Sequence, residues 1–234
     1  QHIADQILNR IPDDRRIKKQ WAPRPEAGTV DHVTSIEDVP LHEGDWLILS
    51  RTNDKLIKLK PTLQEMAIYF EIKGRKSYKT RLYTAVKHYT RWTKGDKLSL
   101  SECKDLFEYL ELDQELKEER MYDLQEFGYK TTDEWYEVFK SDPEECLYIR
   151  EMLRNKEELS KPARVKLSTI HAAKGGEATN VLIILDNTKK IREAVDKSED
   201  KHDEEHRVWY VGVTRTKQNL YIMTPKREDR SYDI

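Results

Sequence analysis

Residues 164–185, RVKLSTIHAAKGGEATNVLIIL, constrain this chain more than any other stretch, because they place a polar, glycine-bearing segment between two apolar runs. The pattern predicts strand, turn, strand. Thr169 to Glu177 gathers a hydroxyl, an imidazole, an ammonium, two glycines and a carboxylate, and amides freed by glycine suit an anion. The segment therefore reads as a turn that handles phosphate. Asp45–Ser50, DWLILS, fits a buried strand. Leu56, Leu59, Leu63, Met66 and Ala67 then keep helical spacing, with Pro61 expected to open the main helix, and Tyr69–Ile72 returns as a strand before Gly74. Strand, helix, strand implies a parallel pair with a right-handed crossover, and so an α/β fold.

The flanks fill in this frame. Ile3, Ile7, Leu8 and Ile11 predict an amphipathic helix within 3–21, interrupted near Pro12, and Arg15 to Lys19 reads as a solvated loop. Thr29–Ser35 alternates weakly as a strand. Residues 196–205 read as a mobile loop or a helix start; Val208, Val211 and Arg215 keep helical spacing, Asn219–Met223 closes as a strand, and the tail from Pro225 is expected to be loose.

Residues 81–160 change character. Leu82, Val86, Tyr89 and Trp92 share one helical face, and Ser99-x-x-Glu102 is a capping box. Thr131-x-x-Glu134 and Ser141-x-x-Glu144, the latter with Pro143, are expected to open two further helices. The segment holds 13 Lys/Arg against 20 Asp/Glu, a net −7, whereas the remainder is net +5. It reads as an acidic, all-helical insertion whose aromatics fall at core spacing, in a domain made of 1–80 and 161–234.

No apolar run approaches the roughly 20 residues that span a bilayer. The first residues lack the pattern of a signal peptide and an initiator Met, which points to a piece of a longer chain. Cys103 and Cys146 sit in helical patterns as small core residues, and with no CxxC the chain fits a reducing cytoplasm with no metal site. There is no GxxxxGK[ST], hence no P-loop. Asp186, after four aliphatics, imitates a magnesium-binding acid but reads as an ordinary strand-end carboxylate. His202-Asp203-Glu204-Glu205-His206 fits the spacing of inverted zinc peptidases, yet a third ligand is not evident.

TIHAAKGGE and EEHRVWYVGVTRTKQNLYIM, taken together, closely resemble motifs V and VI of the UvrD/Rep-type superfamily 1 DNA helicases. WLILSRTN, the helix after it and YFEIKG resemble that family's segment with an Arg-x-Asn motif, and Asn9 to Trp21 is similar to an earlier stretch. The likeness covers about 150 residues, all but the helical middle. It implies a RecA-like second domain: a mostly parallel sheet flanked by helices, interrupted by the insertion.

The same resemblance implies an activity. Two RecA-like domains of such helicases clasp ATP with Mg2+, the first supplying the P-loop and most of the metal site. This chain resembles the second domain, so the C-terminal motor half of an ATP-dependent helicase is expected, moving 3′ to 5′ on single-stranded DNA and at single-strand/duplex junctions. Arg215 matches the arginine finger. Glu177, Gly175 and Arg207 match the nucleotide side, Glu177 at the sugar and Arg207 as the second arginine of an Glu-Arg-Arg pattern. Thr169, His171 and Lys174 match positions near the DNA backbone, and Arg51 and Asn53 the earlier DNA-side motif. His206, Gly176 and Ser50 depart from the family's usual arginine, leucine and aromatic. Alone, the chain is expected neither to hydrolyse ATP nor to unwind. The rival reading is a non-catalytic module that holds single-stranded nucleic acid or a protein. The −7 insertion is expected not to grip duplex strongly.

Overall fold

The computed structural model describes residues 1–17, 27–110, 116, 119–173, 175–225 and 231–234. The chain divides into two compact units, one formed by residues 1–75 and 161–234 and the other by 76–160. Lys18, Lys19, Trp21 and Lys174, which figure in the sequence reading, lie outside the described residues.

The first unit is built on a seven-stranded, mostly parallel sheet. Its strands are β1 (Val30–Val33), β2 (Trp46–Ser50), β3 (Phe70–Ile72), β4 (Arg75–Lys76), β5 (Val165–Thr169), β6 (Ala178–Ile184) and β7 (Thr216–Met223), in the order β1-β7-β6-β2-β5-β3-β4. β2 lies at the centre with all five residues buried, paired in parallel to β5 and β6. Alternation sends Trp46 and Ile48 into one core with Val165, Leu167, Leu182, Ile184 and the Leu56 and Leu63 side chains of α2 (Asn53–Glu65). Leu47 and Leu49 enter the opposite core with Val181, Ile183, Leu220, Ile222, Ile7 of α1 (His2–Leu8) and Trp209 and Val213 of a later helix (Glu199–Val213). A strand this apolar forms only with both faces covered, and each fully buried Leu or Ile contributes on the order of 2 kcal/mol.

Several local expectations need correction. α2 begins at Asn53, and Pro61 lies inside it rather than at its start. The missing amide is tolerable because the carbonyl four residues back belongs to Ile57, which is 57% exposed, where water can serve it. Lys73 and Gly74 both have positive φ, 52° and 73°, forming the tight two-residue turn between β3 and β4. Arg15 is no solvated cation: its Nε lies 3.1 Å from Asp203, which is 2% exposed. The chain end is not loose at Tyr232. Its amide donates to the Leu185 carbonyl at 2.8 Å, and its ring stacks on Trp209 with centroids 4.7 Å apart.

The second unit contains α3 (Thr80–Thr93), α4 (Leu100–Leu110), α5 (Trp135–Val138) and α6 (Pro143–Arg154). Tyr89, Trp92, Trp135 and Phe139 are buried against one another, so these aromatics are core. The Ser99–Glu102 box forms, with the Ser99 amide donating to Glu102 at 2.9 Å and the Glu102 amide to Ser99 Oγ at 3.3 Å. The other two caps differ. Glu134, not Thr131, flanks α5, and Asp142, not Ser141, caps α6 by accepting from the Glu144 amide at 3.0 Å. Pro143 at the first helical position makes Asp142 the N-cap. Two more helices, α7 (Lys189–Lys197) and α8 (Glu199–Val213), belong to the first unit, so within the charged 196–205 stretch the helix start is at Glu199, with Ser198 extended between the two helices. Among the described residues no helix is long and apolar enough to cross a membrane.

Candidate functional site

Because β2, β5 and β6 are parallel and in register, the ends of the sheet are two distinct edges. Ser50 stands between Thr169 and Ile184 at the carboxyl edge, and Asn180 beside Trp46 at the amino edge. Residues 170–177 are therefore not a local turn between neighbouring strands. Ile170 and Ala173 are buried in the α8-side core, β2 lies between the strands on either side, and Thr169 and Asn180 stand at opposite edges, four strand steps or about 13 Å apart. The crossovers diverge here too: α2 leaves β2 on one face and α8 follows β6 on the other, so the carboxyl ends of β2 and β6 mark a switch point of the kind where open α/β sheets bind ligands.

Four expected nucleic-acid contacts stand at that carboxyl edge. Ser50 Oγ donates to the Thr52 carbonyl at 2.9 Å and accepts from the Thr52 amide at 3.2 Å, turning the chain as β2 ends. Ser50 is 0% exposed, so a small hydroxyl serves where the resemblance led to an aromatic. Arg51 follows, its Nε donating to both oxygens of Glu205 at 3.1 and 3.0 Å. Its Nη1 lies 3.4 Å from His171 Nδ1, so residues 120 positions apart meet. Asn53 opens α2, and its Oδ1 is buried with no partner among the described residues. Thr169 Oγ accepts from the Ala172 amide at 3.3 Å, and its hydroxyl hydrogen remains available to a further acceptor.

The backbone of 169–177 is less open to an anion than its glycines suggest. The Ala173 amide donates to Thr169 and the Gly176 amide to Ala173, both at 2.9 Å. Together with the Ala172 bond this spends three amides inside the segment. Gly175 has φ +90°, which an L side chain adopts only with strain, and it is exposed, as is Glu177.

Glu177 and Arg215 meet at the other edge. Ala178 pairs with Thr216, and the Ala178 amide donates to the Arg215 carbonyl at 3.2 Å, so the residues preceding β6 and β7 are neighbours. Arg215 is two residues past the end of α8, beyond the C-cap Thr214, rather than within the helix. Its Nε donates to the Val211 carbonyl at 3.0 Å and its Nη2 to Thr214 Oγ at 3.3 Å. A guanidinium suits unpaired carbonyls at a helix C-terminus. Both partners are neutral, and no carboxylate pairs with Arg215 among the described residues, so its charge is held in place without being cancelled. Arg207 is not brought to this edge. It lies about 12 Å back along α8, donating to the Arg15 carbonyl at 2.7 Å, 3.9 Å from Asp203.

Two alternatives lose their footing. Asp186 pairs with Lys55 at the carboxyl edge, as a strand-end carboxylate does. His202 and His206 do converge, but their Nε2 atoms face each other at 3.1 Å and His206 Nδ1 is 2.5 Å from the Tyr232 hydroxyl. Among the described residues no three His, Cys, Asp or Glu side chains converge as a metal site. Burial, then His202 and Arg10, push the His206 pKa down to about 4 against the opposing pull of Asp203, so the ring is neutral near pH 7.

Sequence reasoning missed Glu205. It is 4% exposed and binds both Arg51 and Trp209, whose Nε1 donates to it at 2.7 Å. The available signal was an acid four residues before a tryptophan on one helix.

No curated protein matches the chain. The description UvrD-like helicase C-terminal domain matches it over residues 50–227, most of its length and both edges of the site. The chain thus belongs to the UvrD-like helicase C-terminal domain family.

Proposed function

We propose that this domain is the C-terminal motor half of an ATP-dependent helicase that moves along single-stranded DNA, its carboxyl edge gripping the strand and its amino edge facing the nucleotide. The observation that carries the reading is segregation: Arg51 and His171 converge at one edge, while Glu177 and Arg215 adjoin at the other. Arg51 offers a forked cation and Thr169 a hydroxyl, both apt for phosphate oxygens, and Lys174 adds an ammonium in the same segment.

The nucleotide-side residues suit ATP with Mg2+ because Arg215 keeps an uncancelled charge on neutral acceptors. ATP supplies the γ-phosphoryl group, and a P-loop domain of the same parent chain would hold it with the metal. Arg215 then turns its terminal nitrogens from Thr214 toward the charge developing on that group, a role for which a planar, permanently charged fork is suited. Glu177 accepts hydrogen bonds from the sugar hydroxyls. On its own the domain lacks a P-loop, so neither hydrolysis nor unwinding is expected of it.

Binding of a fluorescein-labelled single-stranded oligonucleotide to the 234-residue chain tests the carboxyl edge. Arg51→Ala should weaken binding and reduce the salt slope by about 0.7, the share of one phosphate contact on a single strand. An unchanged slope and affinity would remove Arg51 from the interface.

A further inference from the structure

Glu205 is a buried carboxylate for which the helicase reading supplies no task. Its Oε1 accepts from Trp209 Nε1 at 2.7 Å and from Arg51 Nε at 3.1 Å, and its Oε2 accepts from Arg51 Nε at 3.0 Å. Trp209 is fully buried and stacked on Tyr232, so it cannot move aside. A desolvated carboxylate and guanidinium do not by themselves add stability, since apolar residues of similar size often replace such a pair without loss. The pair does fix a geometry. Arg51 is held by its Nε, and among the described residues neither terminal nitrogen bonds a carboxylate: Nη1 lies beside His171, Nη2 has no partner, and Glu204 is near enough to interact with Arg51 only through space.

We propose that Glu205 is the positioning residue for Arg51: it holds the guanidinium by its Nε so that the terminal nitrogens are presented, beside His171, to a phosphate of single-stranded nucleic acid. This rests on the nucleic-acid reading of the carboxyl edge. An arginine fixed in advance forms its phosphate hydrogen bonds without losing side-chain freedom on binding, and the positioning acid touches no ligand itself.

Charge and positioning predict opposite signs for one substitution. Glu205→Gln removes a negative charge next to a site for a polyanion, so electrostatics alone would tighten binding. Positioning requires that it weaken binding, on the order of tenfold, as expected for losing one well-directed hydrogen bond to a charged group. The experiment measures anisotropy of labelled oligo(dT) with the 234-residue wild type, Glu205→Gln, Arg51→Ala and the double variant, at a temperature where circular dichroism shows each folded. The expected result is weaker binding for Glu205→Gln in the wild-type background and no further loss in the Arg51→Ala background.

Tighter or equal binding by Glu205→Gln overturns the proposal, as does an equal loss in both backgrounds, which would mark a purely structural effect. Should Glu205→Gln not fold, Arg51→Lys decides. It keeps the charge but has no Nε edge to be held, so it should bind about as weakly as Arg51→Ala, and wild-type affinity in that variant refutes positioning. A wild type that binds no oligo(dT) at low salt would instead sink the nucleic-acid reading, and this proposal with it. If Arg51→Ala weakens binding while Glu205→Gln does not, only the positioning role fails.

Discussion

Acidification from pH 7 to pH 5 should destabilise the first unit through one histidine. His206 is 6% exposed, its Nδ1 meets the Tyr232 hydroxyl and its Nε2 meets His202, and its pKa is pushed down to about 4. The unfolded chain binds that proton with a pKa near 6.5, so between the two values it holds more protons than the folded state. Stability is therefore fully present above about pH 6.5 and is lost as pH falls toward 4. Linkage with these two values gives a loss of about 2 kcal/mol between pH 7 and pH 5. Asp45, Glu102 and Asp123 have lowered values and lose their contributions only below the ordinary carboxylate range, so they stay silent in this window. Urea unfolding followed by tryptophan fluorescence at both pH values, in wild type and His206→Gln, reads the effect. The variant is less stable at pH 7 because Tyr232 loses a partner, but its loss on going to pH 5 should be smaller by about 2 kcal/mol. Equal losses in the two proteins would refute the buried neutral histidine.

Other outcomes follow from packing. Tyr232→Ala should cost the first unit about 3 kcal/mol through the lost stack on Trp209, and Tyr232→Phe about 1 kcal/mol through the lost hydroxyl; equal stabilities of the two would mean that the chain end does not hold there. Cys103 and Cys146 are buried and desolvation raises both pKa values, that of Cys103 to about 11, so a thiol reagent at pH 8 should label them at the rate of unfolding, and immediate stoichiometric labelling would contradict their burial. Gly28→Ala should detach β1, because an added Cβ would stand 2.0 Å from the Gln218 carbonyl oxygen, and unchanged exchange of the Val30–Val33 amides would count against that contact.

The parts of the fold written in local pattern were legible. β2 has an apolar run that only a doubly covered strand accommodates, and the Ser99–Glu102 box states its own hydrogen bonds. What the pattern does not contain is the order of strands. β5 and β6 look like a hairpin-like pair joined by a glycine turn, but β2 is inserted between them, and that turns a phosphate loop into a crossover joining two edges. The resemblance to helicase motifs assigns Glu177 to a nucleotide side and His171 to a DNA side, but the strand order that sends these residues, six positions apart, toward different ends of the sheet is not written in the local pattern. Long-range partners were equally hidden. The spacing of Glu205 four residues before Trp209 hints at their contact but not at Arg51, 154 positions away, and the pairing of Tyr232 with Trp209 and His206 closes over 20 or more residues of chain. Pro61 misled because proline is common at helix starts, and Asn53 had already opened that helix behind Thr52.

The central claim is that the amino edge supplies a cation to ATP hydrolysis on another domain, and it is tested most directly by the Arg215→Ala substitution in a polypeptide that joins this domain to its P-loop partner. With single-stranded DNA saturating, ATP turnover should fall by on the order of a thousandfold, while oligonucleotide affinity, set at the opposite edge, stays as in the wild type. Unimpaired turnover in that variant would contradict the account.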